Sequence, residues 1–242
     1  MKIGITERGD AGRDLSWSSK MDSVDGAVII SKSLTDELID ALLRYQSKVI
    51  FHNTCTGYGG SVLEPHVPLY QTNFGQLQKL IESGFDPARV VLRVDPIIPT
   101  PKGLDTFCSV VLDAPKQVER CRISVLDMYP HVRKRFLDSG LPDPYQGKFQ
   151  ASDEQFDAVI ETIENRLGGR LFEVCNEPKL VHSNIIQSGC IAEEDLNILE
   201  IDISEGKVGG YQRGGCLCLG NKTELLEQKR QCPNRCMYCY WK

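Results

Sequence analysis

The sequence predicts an α/β fold, a partial (β/α) barrel with an irregular, cysteine-rich C-terminal segment that carries a loop of closely spaced cysteines. Three observations predict it. Short apolar runs rich in β-branched residues alternate with longer segments of helical period. These runs read as strands buried on both faces of a parallel sheet. Seven of the ten cysteines lie after residue 170, where that alternation stops. Strand and helix in regular succession imply a parallel sheet, and a flat doubly wound sheet is the other solution.

The strands fall over residues 2–6, 27–30, 48–52, 90–94, 122–126 and 171–174. A helix over 34–45 follows from Leu34, Leu38, Leu42 and Tyr45 sharing one face, and another over 73–83 ends at Gly84. Further helices are expected over 132–138 and 153–167. After Gly168 and Gly169 the glycines at 189, 206, 209, 210, 214 and 215 break up a segment with little helical period, which reads as loops wrapped around metal. The expected division is a barrel over 1–170 and a cluster-binding segment over 171–242 packed on it.

A chain of 242 residues is long enough for one sizeable core. The net charge of -5 and pI near 5.5 argue against binding through a broad basic surface, although a local basic groove can hide in that sum. The N-terminal residues lack the apolar core of a signal peptide, and no run of 18 apolar residues occurs, so a cytoplasmic protein with no membrane partner is expected. In a reducing compartment clustered cysteines read as metal ligands or catalytic thiols.

The most informative motif is Cys232-Pro-Asn-Arg-Cys236-Met-Tyr-Cys239, a C-x3-C-x2-C spacing with Tyr238 before the last cysteine. Three thiolates on one loop can hold three irons of a four-iron, four-sulfur cluster and leave the fourth iron open. A structural zinc site is the alternative, though such sites more often use two C-x2-C pairs. The pattern resembles the cluster loop of the radical S-adenosylmethionine (radical SAM) enzymes. That resemblance implies S-adenosylmethionine on the open iron, its reductive cleavage to a 5′-deoxyadenosyl radical, and hydrogen abstraction from a substrate inside a walled barrel. It also implies that Tyr238 packs near the adenine.

Further stretches widen the resemblance: Thr56-Gly57-Tyr58, Glu64-Pro65-His66-Val67-Pro68, Arg93-Val94-Asp95-Pro96, Ser124 to Tyr129 and Gly215-Cys216-Leu217-Cys218. With these the chain resembles an uncharacterised bacterial and phage family whose C-terminal cysteines mimic the radical SAM loop. Because that loop usually follows the first barrel strand, its late position implies circular permutation. The resemblance extends to phage enzymes that rearrange modified thymidine, which makes a modified DNA nucleobase a candidate substrate and an isomerase-type outcome a candidate reaction; a small metabolite or peptide fits equally well. An electron donor such as flavodoxin or ferredoxin is implied. The reading from another class is a non-catalytic protein in which zinc or iron-sulfur groups fold the C-terminal third for partner binding.

Four other cysteines, Cys175, Cys190, Cys216 and Cys218, suffice for a second, fully ligated four-iron cluster, for a zinc site, or for plain buried thiols. Strand ends supply the remaining candidates. The glycine-rich run after His52 leads to Glu64 and His66, either of which can bind a ribose or carry a proton. Arg93 and Asp95 end one strand on the same face, where Arg93 can bind the methionyl carboxylate of the cofactor or close a structural ion pair. Asp127 and Tyr129 end the next. Glu64, Asp95 and Cys55 are the catalytic candidates, Cys55 also reading as a small hydrophobe. Cys108 and Cys121 read as core, and His52, His131 and His182 show no ligand spacing.

Overall fold

A computed structural model describes residues 2–202, 217–219, 222–226 and 232–241. Its strands are β1 (Ile3–Ile5), β2 (Gly26–Ser31), β3 (Val49–Thr54), β4 (Val90–Ile97), β5 (Arg120–Val125), β6 (Phe172–Cys175), β7 (Ile185–Ser188) and β8 (Lys222–Glu224). All pair in parallel in a single sheet of order β7-β6-β5-β4-β3-β2-β1-β8. The helices are α1 (Asp36–Arg44), α2 (Tyr70–Glu82), α3 (Pro101–Asp113), α4 (Pro130–Asp138), α5 (Asp153–Arg166) and α6 (Glu193–Ile198). No helix of the described residues is long and apolar enough to cross a membrane.

Local chemistry sets the boundaries. Thr35 caps α1 through its side chain, and Ser152 and Gln155 close a reciprocal capping box at the start of α5. Gly84, at φ +98°, supplies the left-handed residue that turns the chain after α2. Helix α3 was not expected from the sequence, because Pro101 and Gly103 read as breakers. Here Pro101 occupies the first helical turn, where its missing N–H costs nothing, and Thr100 caps the Gly103 amide.

Among its described residues the region after residue 170 contains β6, where a strand is expected over 171–174, together with β7, α6 and β8, which were not expected from the sequence. Strands β7 and β8 are too short for a period to be legible, and all three strands join the sheet of the first 170 residues.

The sheet has two buried faces of different character. Ala27, Ile29, Val49, Phe51, Leu92, Ile123 and Val174 pack against the apolar faces of the helices, among them Leu38, Leu77, Phe107 and Val159. On the other face Ile3, Ile5, Val28, Ile50 and Val91 meet Ile191, Leu196, Leu199 and Leu219, so α6 and its flanks cover the sheet there. Next to this apolar patch lies a buried charged layer. Arg120 donates to Glu173 at 3.0 Å and to Asp195 at 2.8 Å, while Arg122, 2% exposed, donates to Glu173 and to the Cys190 carbonyl. Asp195 also accepts the Ala192 amide, which binds α6 to the network. Opposite charges in such a layer are tolerable only when every partner is present. Glu173→Gln should therefore lower unfolding stability by about 3–5 kcal/mol in denaturant titrations, since it leaves two buried guanidinium groups short of a charge.

Candidate metal and cofactor site

Loops at the C-terminal ends of parallel strands are where such sheets gather ligand-binding residues, and the segment 232–241 follows β8 at that edge. Two tight turns shape it: Arg235 N–H donates to the Cys232 carbonyl and Cys239 N–H to that of Cys236, both at 3.1 Å. Arg235 sits at φ +49°, a left-handed conformation that costs a residue with a Cβ on the order of 1 kcal/mol and is typically found at functional loops.

Every side of this loop is tied down. Asn234, 1% exposed, donates to Asp10 at 2.6 Å, and Asp10 in turn accepts Ser31 Oγ and the amides of Gly12 and Lys32. Arg135 of α4 donates to the carbonyls of Cys236 and Cys239, His131 Nε2 lies 2.9 Å from the Tyr240 carbonyl, and Met237 N–H donates to Leu63 at 2.9 Å. Of these partners only His131 had been considered from the sequence, and as a residue without a role; Asp10, Asn234 and Arg135 were missed. For Asp10 the available signal was its place just beyond the first strand.

Glu64 is the hub of the site. Buried to 1% exposure, it accepts Thr56 Oγ1 at 2.7 Å on one oxygen, and Tyr238 OH and Lys32 Nζ on the other, the lysine at 2.9 Å. The Lys32 ammonium also lies 5.3 Å from the centre of the Tyr238 ring. Burial alone lowers the pKa of Lys32, but the charges of Glu64 and Cys236 outweigh it and raise the net value. Burial lifts the Cys236 thiol to about 12, and Cys239 and Cys232 add to the shift while Lys32 opposes it. Cys232 is raised as well, by burial first. A bound cation would have to displace these thiol protons.

The other candidates take distinct places. Arg93 and Asp95 close an ion pair on β4, with Nε and Nη2 on one carboxylate oxygen at 2.9 and 2.5 Å. Burial opposes the charge of Arg93, and the adjacent Asp95 carboxylate restores it, leaving the pKa raised. Cys55 is 3% exposed within the helix-side core and accepts a contact from Asn73 Nδ2 at 3.8 Å. His66 is exposed at the rim and its carbonyl accepts Arg13. Cys108 and Cys121 are core residues. His52 is buried against Arg122 and held neutral by desolvation and that charge, and His182 pairs with Glu164. Glu177, missed although it follows the sixth strand directly, is lifted to about 7 by burial, with Asp127 and Asp95 adding to the shift.

Two sulfur groups emerge. Cys175, Cys190 and Cys218 have their Sγ atoms within 4.8 Å of one another, the one such three-ligand group among the described residues. Cys216, the fourth member expected from sequence, lies outside the described residues. Cys232, Cys236 and Cys239 sense one another electrostatically but do not all converge within 4.8 Å.

Beside the loop, Arg13, His66, Pro233 and Arg235 line a cleft of about 550 Å³. A family model matches residues 13–241, spanning β2 to β8, the loop and both sulfur groups. The chain belongs to the DUF1848 family. That family is described as a domain of unknown function, so membership fixes kinship and leaves the activity to the site itself. No curated protein matches the chain.

The buried thiols of this DUF1848 protein provide a pH test. Burial pushes both Cys55 and Cys121 from 9.0 up to about 12. Both should resist iodoacetamide in the native state at pH 8, as read by mass spectrometry of each peptide. Because their folded values exceed the unfolded one, the stability they confer is complete below pH 9.0 and is lost as pH rises towards about 12.

Proposed function

We propose that the chain is a radical SAM enzyme built as a circularly permuted, partial (β/α) barrel, with Cys232, Cys236 and Cys239 holding a four-iron, four-sulfur cluster and S-adenosylmethionine bound beside it. One observation carries this reading. The cysteine loop follows β8, and β8 lies outside β1 in the sheet, so the loop takes the place it would have after a first strand while β1 takes that of a second. Such a cluster, when bound, supplies the electron that cleaves S-adenosylmethionine and starts hydrogen abstraction from a substrate.

The chain's own residues have derivable tasks. Asp10, Asn234, Arg135 and His131 fix the loop so that its thiols keep one spacing. Glu64 fixes Tyr238, whose ring is held from one side by Lys32, giving a flat apolar surface suited to an adenine. Arg93 lies on the face of the sheet opposite the helix-side core, near enough to Tyr240 and Cys190 to feel both, and its fork suits a carboxylate such as that of the methionyl group. Glu177, beyond β6, and Asp95, on β4, flank the end of β5 as proton-handling groups. The substrate remains a nucleobase, metabolite or peptide on chemical grounds alone.

Anaerobic reconstitution with iron and sulfide, followed by dithionite and S-adenosylmethionine, tests the reading. Wild type should yield 5′-deoxyadenosine and Cys236→Ala none; production by that variant would remove the ligand assignment. Arg93→Leu should weaken S-adenosylmethionine binding roughly 30–150-fold, the worth of a charge-assisted pair of about 2–3 kcal/mol.

An acidic electron carrier of the flavodoxin or ferredoxin kind is the partner this chemistry needs. The cleft beside Cys232 is lined by Arg13, Arg235 and His66, a cationic surface on a chain of net charge -5. Arg13→Glu with Arg235→Glu should slow turnover driven by flavodoxin at least tenfold while leaving dithionite-driven turnover within a factor of two. Equal loss with both reductants would sink the docking assignment.

A further inference from the structure

The second sulfur group has a geometry of its own. Cys175 and Cys190 bring their sulfurs to 3.6 Å, and Cys218 joins them within 4.8 Å. A single tetrahedral ion with metal–sulfur bonds of about 2.3 Å holds its thiolates about 3.8 Å apart. A four-iron cluster instead gives each thiolate its own iron at a separate corner, which spreads the sulfurs. The three sulfurs of this group all lie within 4.8 Å of one another, which those of the terminal loop do not.

The backbone around the group is shaped to permit the approach. A Cβ on Gly189 would stand 2.8 Å from Cys218 Cα and 2.9 Å from its nitrogen, so only glycine lets the two segments meet. Cys190 N–H then donates to Cys218 Sγ at 3.0 Å, and Leu219 N–H to the Ile191 carbonyl at 3.1 Å. An N–H donor aimed at sulfur favours the thiolate that a metal requires. Behind the ligands, Arg122 holds the Cys190 carbonyl at 3.3 Å, and Ser188 donates to Glu173, so the buried charge network sets the position of the β7 exit.

Location gives the group a task. Cys175 ends β6 and Cys190 lies just past β7, at one end of the sheet, whereas Cys218 lies just ahead of β8, the strand at the other end. Among the described residues β7 and β8 pair only with their inner neighbours, β6 and β1.

We infer that Cys175, Cys190 and Cys218 bind one zinc-class divalent ion in tetrahedral thiolate coordination, and that this ion staples the two ends of the eight-stranded sheet together. Three thiol protons leave to water on binding, and the fourth coordination position belongs to a ligand outside the trio. The assignment needs nothing from the terminal loop and does not depend on radical chemistry.

The test uses the full chain carrying Cys232→Ala, Cys236→Ala and Cys239→Ala, produced with zinc and iron both supplied. Metal and acid-labile sulfide analysis should find about one zinc per chain and no sulfide, and cobalt(II) exchange should give the intense visible bands of a tetrahedral thiolate site. Adding Cys175→Ser or Cys218→Ser should abolish both. A strong chelator should lower Tm by several degrees, with zinc restoring it. About four irons with sulfide, weak octahedral cobalt bands, or a metal-free chain with a Cys175–Cys190 disulfide would each overturn the site. An unchanged Tm after zinc removal would overturn the staple. Should the serine variants fail to fold, the metal content and cobalt spectrum of the parent decide, and a failure of radical chemistry at the terminal loop alters none of these readouts.

Discussion

A carboxylate that is 1% exposed needs donors in place of the water it has lost, and Glu64 is matched from three directions. Thr56 comes from the turn after β3, Lys32 from the exit of β2, and Tyr238 from the loop after β8. Each of these segments therefore has a fixed distance to the others. The terminal loop is far from β2 and β3 in sequence, yet its aromatic side chain is held in register with both. Removing the carboxylate would leave a buried ammonium and a buried phenol without their partner, and the spacing of the cysteines on either side of Tyr238 would lose its reference.

A second polar layer holds the opposite part of the rim. Arg120 and Arg122 on β5, Glu173 on β6 and Asp195 on α6 join three elements on the face that α6 covers. The layer adjoins the apolar patch of Ile3, Ile50, Val91 and Leu196. It is costly to bury, and an apolar substitute of equal volume would serve stability as well or better. What it provides is position: the guanidinium of Arg122 reaches the Cys190 carbonyl, so the charges set where the Cys190 thiol can be.

Much of this was legible in the sequence, for reasons that differ by element. Strands β2 to β6 are built around short runs rich in apolar and β-branched residues, and α1 and α5 carry their own caps, so local pattern and tertiary role agree. Helix α3 was illegible because Pro101 and Gly103 are ordinary breakers until Thr100 is seen to cap the turn. Strands β7 and β8, of four and three residues, are too short to show a period. The cysteine spacing of 232–239 was plain, but its supports were not: Asp10, Lys32 and Arg135 are ordinary charged residues whose significance lies in which distant segment they meet. Glu177 and His131 were visible as strand-end and helix-start residues, with nothing in the sequence to say that one is desolvated and the other grips the loop.

The order of the strands explains why cysteine chemistry concentrates where it does. With β8 beside β1, the chain must run from β7 at one end of the sheet to β8 at the other before the terminal loop can begin. A three-residue strand paired on one side through Ile3, Gly4 and Ile5 offers little hydrogen bonding to secure that crossing. Gly4 packs tightly against Leu225, and Leu225 and Leu226, directly after β8, are buried in the helix-side core. Cys218, ahead of β8, brings its sulfur within 4.8 Å of those of Cys175 and Cys190, so the two ends of the crossing meet at a thiol group that could hold a metal ion. The same rim then carries a thiol group at the β7 side and another after β8, with Arg93 near enough to feel Cys190 on one side and Tyr240 on the other. The geometry that secures the last strand is thus also the geometry that frames the site.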